Sequence, residues 1–157
     1  MTEPLQQAEK IMRDTRIAVL TYVSIEGDLV STPMGTQDFE TAATVWFLTE
    51  TGTDKVRALG ADDRVNVHYP TDAGWVSLTG TAVLNRDRAK LEELWDVSAS
   101  AFMSGDASSP NNALLEVTAS SVEYWESPGA VVTAFKMAKG VITRSEPNLG
   151  DNETIQL

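Results

Sequence analysis

The chain has no cysteine and a single histidine, His68. Without cysteine there are no disulfides, no thiolate nucleophile and no zinc–thiolate site, and the chain fits a reducing, cytoplasmic compartment. With one histidine there is no material for a histidine-rich metal site, and a Ser-His-Asp triad has no second candidate. Its surroundings, Val65-Asn66-Val67-His68-Tyr69-Pro70, read as a strand, where a structural histidine is the simpler assignment. Positive charge is also scarce. Twelve Lys and Arg stand against 23 Asp and Glu, a net charge of −11. Such a surface repels nucleic acid and anionic lipid, so neither is an expected partner. No apolar run is long enough to span a membrane. The start, Met1-Thr2-Glu3-Pro4, lacks the basic and apolar segments of a signal peptide.

What remains is ordinary globular material. Of 157 residues, 42% are hydrophobic and 22% charged, enough for one domain over 1–157 with its own core. A helix is expected over Glu3–Arg13, with Leu5, Ala8, Ile11 and Met12 as its apolar stripe. Ile17–Ile25 reads as a central strand, apolar on both faces. Glu26-Gly27-Asp28 is a hairpin signal leading into a strand through Leu29–Met34. Pro33 inside that strand marks an edge or a bulge. Further strands are expected over Arg64–Tyr69, Trp75–Leu84, Leu114–Ala119 and Val122–Glu126. Asp87 to about Phe102 reads as one amphipathic helix, residues 104–112 as a mobile polar loop, and Ser127-Pro128 as the start of a last helix reaching about Lys139. The sum is mainly β (α+β): an antiparallel barrel of six or more strands with peripheral helices.

Residues 44–56, Thr-Val-Trp-Phe-Leu-Thr-Glu-Thr-Gly-Thr-Asp-Lys-Val, carry the most specific signal. Val45, Trp46, Phe47 and Leu48 are consecutive β-formers. The run breaks at Gly52 and restarts as a helix near Asp54, with Val56 and Leu59 on one face and Gly60 as the stop. A strand that ends in a hydroxyl-rich turn and opens a helix presents free N–H groups, and the helix dipole favours an anion there. Thr49, Thr51 and Thr53 supply hydroxyls, and Lys55 supplies charge. The plainer reading is a Thr-capped helix with a solvated lysine.

This run resembles the phosphate-binding segment of the pyridoxamine 5'-phosphate oxidase-like, FMN-binding split-barrel family, in its general stress protein 26-like branch. Ser31-Thr32-Pro33-Met34 precedes it; Trp75-Val76-Ser77-Leu78-Thr79-Gly80-Thr81-Ala82, Leu91-Glu92-Glu93-Leu94-Trp95 and Glu123-Tyr124-Trp125-Glu126-Ser127-Pro128 follow in the order of that branch, and the tail ends Gly150-Asp151-Asn152-Glu153-Thr154. The resemblance implies a split β-barrel binding FMN. Thr32, Pro33 and Met34 would run along the isoalloxazine. Trp46, Phe47, Leu48 and Thr49 would flank the ring and ribityl chain, and Thr53 and Lys55 would meet the phosphate, with Arg57 nearby. Trp75 and Trp125 would approach the flavin, Trp75 from the partner subunit of a homodimer; strand packing is the alternative role for Trp46, Trp75 and Trp125. Relatives often carry Arg where this chain has Thr32, and a basic residue where it has Asp54. Both changes remove positive charge, so weaker FMN binding is expected. With no cations for a second phosphate, a true pyridoxamine 5'-phosphate oxidase is not expected. The implied activity is flavin redox chemistry with a small-molecule partner. The alternatives are a flavin holder without turnover, or a barrel using a deazaflavin or haem-type ligand.

Overall fold

The computed structural model describes residues 3–127 and 152–157. The order of elements is α1 (Glu3–Asp14), β1 (Ile17–Val23), β2 (Leu29–Gly35), β3 (Thr44–Glu50), α2 (Asp54–Ala61), β4 (Arg64–Thr71), β5 (Gly74–Asn85), α3 (Arg88–Leu94), α4 (Val97–Phe102), β6 (Asn112–Glu126) and β7 (Asn152–Gln156). The seven strands form one antiparallel sheet in the order β2-β1-β4-β5-β6-β3, with β7 also on β6. The two ends of that order, β2 and β3, approach one another without a ladder. The sheet is thus curled into a barrel split along one seam, with four helices among the described residues, which is the expected antiparallel barrel with peripheral helices. The expected helix from Pro128 to Lys139 lies outside the described residues.

Alternation along the strands makes the core. Ala18, Leu20 and Tyr22 of β1 face inward with Val65, Val67 and Tyr69 of β4 and Val76 and Leu78 of β5. Each buried Val or Leu among them contributes roughly 1.5–3 kcal/mol. β1 is central, paired with β2 and β4, but it is not apolar on both faces in use. Its pattern alternates buried with half-buried residues, and Val19, Thr21 and Val23 line the outer face. Ile25 stands exposed beyond its end. The hairpin is as expected, with Gly27 at φ +89°. Pro33 lies on β2, which is paired on one side alone, so no ladder partner misses its N–H. α1 buries Ala8, Ile11 and Met12, and also Glu9, whose carboxylate accepts from the Ala42 N–H at 2.8 Å.

Three further expectations change. The two expected strands over 114–126 are one strand, β6. Its register against β5 shifts between Thr79 and Gly80: Thr79 faces Ser121 and Gly80 faces Ala119, which leaves Ser120 as the extra residue of a bulge. The expected single helix is two. Asp96 breaks it by capping α4, accepting from the Ala99 N–H at 2.9 Å, and Val97 and Phe102 are left exposed. The 104–112 loop is tied down by hydrogen bonds. Arg88 donates to the carbonyls of Ala107, Ser109, Pro110 and Asn112, and the Asn112 amide donates to those of Ser104 and Asp106.

At Gly80 the backbones of β5 and β6 come so close that a Cβ would collide with the Thr118 carbonyl and the Ala119 Cα. Gly80→Ala is therefore expected to destabilise the fold by about 1–3 kcal/mol. Gly60→Ala, in the open on α2, is expected to stabilise it by up to about 1 kcal/mol through helix propensity. Urea midpoints of the two variants check both signs.

Candidate functional site

The strand–turn–helix run forms as read. Thr53 is the N-cap of α2: its hydroxyl accepts from the Val56 N–H at 3.4 Å and donates to the Glu50 carbonyl at 3.2 Å. Gly60 lies inside the helix, and Asp62 rather than Gly60 ends it. One residue into α2, Lys55 turns inward. Its Nζ contacts the Met34 Sδ on β2 at 3.4 Å. This contact brings together two residues expected at opposite ends of the flavin, and it links α2 to β2, one wall of the seam. Thr32 faces the same side of β2 as Met34.

Lys55 stands apart from the other cations. The ion pairs among the described residues are Arg13–Glu9, Arg57–Asp54, Arg64–Asp62 and Lys90–Glu93. Arg88 is satisfied by carbonyls. Lys10, Arg16 and Arg86 are exposed. Lys55 is half-buried, and among the described residues its recorded polar partner is a thioether. Burial pushes its pKa below the ordinary lysine value. It also sits in the first turn of a helix, where the dipole disfavours a cation. An anion at this point would relieve both penalties. Arg57, expected to help with charge, instead reaches back to Asp54 and the Gly52 carbonyl.

The other expected residues divide by the two-residue period of the strands. Phe47 and Thr49 face the core and are buried. Trp46 and Leu48 point to the opposite face of β3, into a small cluster with Leu91, Leu94 and Leu114 under α3. Lys90 lies over the Trp46 ring at 5.5 Å. Pro33 is on the outer face of β2. Trp75 and Trp125 are a directly opposed pair on β5 and β6, 42% and 36% exposed on the outer face. His68 sits on that face of β4, half-buried, opposite Ser77. The side chains thus form four groups: Thr32 and Met34 with Lys55; Phe47 and Thr49 in the core; Trp46 and Leu48 under α3; and Pro33, Trp75 and Trp125 on the outside. Four consecutive strand residues cannot all turn their side chains to one ligand.

Two cavities were not foreseen, because their linings come from scattered segments. One of about 600 Å³ lies by the C-terminal half of α2, between Val56, Leu59, Asp62, Arg64, Val83 and Leu115. At its rim Arg64 holds the Asp62 carboxyl down at about 2. One of about 350 Å³ lies between α1 and the chain after β2, with Arg13, Arg16, Thr36 and Phe39. The Lys55 Nζ is at neither. No group of three His, Cys, Asp or Glu is placed to hold a metal among the described residues. No helix there is long and apolar enough to cross a membrane.

The family model for pyridoxamine 5'-phosphate oxidase-like proteins matches residues 3–148. The chain belongs to that family. No match is found among curated proteins. Solved relatives include a protein assigned as general stress protein 26 from Jannaschia sp. CCS1, with 25% identity, a TM-score of 0.77 and full coverage of both chains. A general stress FMN/FAD binding protein from Xanthomonas citri aligns at 22% identity and a TM-score of 0.72, over 83% of this chain and 93% of its own. A heme binding protein from Mycobacterium smegmatis shares the fold at 12% identity and a TM-score of 0.68, over 99% of this chain and 59% of its own.

The state of Lys55 has a measurable consequence for stability. Its folded pKa is depressed, so the unfolded chain holds the proton to higher pH. The resulting penalty is full at neutral pH and fades as pH rises through the lysine range. Lys55→Met, similar in length and uncharged, is expected to raise the melting temperature of the ligand-free protein by about 1–3 °C at pH 7. The gain should vanish at strongly alkaline pH. Differential scanning calorimetry at both pH values checks it.

Proposed function

We propose that this protein binds FMN, with the phosphate at the start of α2 on Lys55 and the capped turn around Thr53, and the ring along Thr32-Pro33-Met34 of β2. The observation that carries the reading is the half-buried Lys55 ammonium, which has no carboxylate partner among the described residues. A phosphate is the chemical complement of a desolvated cation at a helix N-terminus. The flavin-binding relative from Xanthomonas citri agrees with this choice of cofactor. When bound, FMN supplies electron transfer, and the chain's own residues bind and orient it. We infer a flavin-dependent oxidoreductase acting on a small molecule in the cytoplasm.

The exposed Trp75–Trp125 pair supports a homodimer through the outer face of the sheet, since paired indoles in water are costly unless covered. The reading does not extend to oxidation of pyridoxamine phosphate. That substrate needs cations for a second phosphate, and Arg13 on α1 and Arg88 on α3 are engaged by carbonyls of distant loops, at Glu40 and at Asn112.

Lys55→Ala is expected to weaken FMN binding about ten-fold or more, as loss of a charge-assisted hydrogen bond requires. Riboflavin, without the phosphate, should bind the variant and the parent alike. Fluorescence titration of both flavins decides it; equal losses for the two, or no flavin binding by the parent, would overturn the assignment. Sedimentation at micromolar concentration tests the dimer, and a monomer of 17.0 kDa would remove it.

A further inference from the structure

Lys55 raises a question that its charge alone does not answer. An ammonium on a long flexible stem belongs in water. Here it is half-buried, in the disfavoured first turn of a helix, with a methionine sulfur as its recorded contact. The neighbouring carboxylates are turned elsewhere. Asp54, next in the chain, pairs with Arg57. Glu50, at the end of β3, accepts from the Ser104 N–H at 3.0 Å. Met34 itself is 6% exposed and fixed on β2 opposite Ala18.

We propose that Met34 is the positioning residue for this cation: its thioether holds the Lys55 ammonium at the seam and thereby sets how strongly a phosphate-bearing ligand is preferred over its phosphate-free counterpart. The inference rests on the FMN reading for its natural ligand, but not for its test. A thioether is a weak, polarizable acceptor. It can orient an ammonium without neutralising it, so the full charge stays available to an incoming anion. A carboxylate in its place would hold the lysine more firmly and compete with the ligand. A purely apolar side chain would fill the space and offer no acceptor, and the ammonium would swing to solvent. Because Met34 and Lys55 lie on different elements, the contact also sets the distance between the ring-contacting strand and the phosphate-contacting helix.

The test is Met34→Leu, a volume-conserving change tolerated in cores, with Lys55 followed by NMR of its side-chain Cε in ligand-free protein. In the parent the Lys55 signal should titrate below the ordinary lysine range, and in the variant it should move back toward it. Loss of one weak contact should lower FMN affinity two- to five-fold and riboflavin affinity by less, so that the FMN-to-riboflavin ratio falls. Met34→Gln, which restores an acceptor of similar length, should recover part of the preference. An unchanged Lys55 titration together with an unchanged FMN-to-riboflavin ratio would overturn the proposal. So would equal losses for both flavins, which would mean a general change of shape. If the parent binds neither flavin, the FMN reading fails and inorganic phosphate becomes the probe. A weaker phosphate-induced shift of the Lys55 signal in Met34→Leu then supports the role of Met34, and an equal shift refutes it.

Discussion

β6 pairs with β5 from Leu114 to Glu126, but it exchanges its other neighbour partway, β3 for β7. The barrel closes because of that exchange. Before Ser120 the inward residues are Ala113, Leu115, Val117 and Ala119; after it they are Val122 and Tyr124. One extra residue resets the parity, so both halves present their apolar side to the same core. Without it, every side chain beyond Ala119 would face the wrong way. Ser120 is held in place by its hydroxyl on the Thr79 carbonyl and by the Leu157 N–H on its own carbonyl. The close approach at Gly80 is the other side of the same bulge.

Once the sheet closes this way, its two ends meet at a seam with no ladder. β2 arrives at that seam with Pro33 and Met34, and the chain leaves β3 through the Thr53 turn into α2, which aims Lys55 at Met34. The candidate site is therefore a product of closure. Neither wall contains it, and no single segment of sequence describes its geometry. Its charge is also set apart among the described residues. In a protein of net charge −11, a half-buried cation with no carboxylate partner among the described residues is expensive to keep, and that expense is the physical argument for a ligand.

The sequence was most legible where local chemistry decides structure. Thr53 as a cap, Gly27 in a hairpin and Pro33 on an edge strand all follow from backbone preferences of single residues, and so does the alternation of β4 and β5. It was least legible where the outcome depends on a partner distant in the chain. Ser120-Ser121 looked like the gap between two strands because a bulge and a boundary break the apolar period alike. The Asp87–Phe102 stretch kept a helical period while Asp96 offered a better use as a cap. The polar loop after α4 reads as mobile until Arg88, some twenty residues earlier, supplies the donor its carbonyls need. At the site, the motif run was visible as a unit, but the outward turn of Trp46 and Leu48 follows from strand parity. The Met34 contact joins positions 21 residues apart.

The Trp75–Trp125 pair gives the molecule a property unrelated to stability. Both indoles stand part-exposed at opposed positions of the ladder, so their emission depends on how much water reaches them. The pair reports, as fluorescence, whether the β5–β6 ribbon is covered at its far end from α3. Any body that settles on that end of the sheet registers optically, without a label.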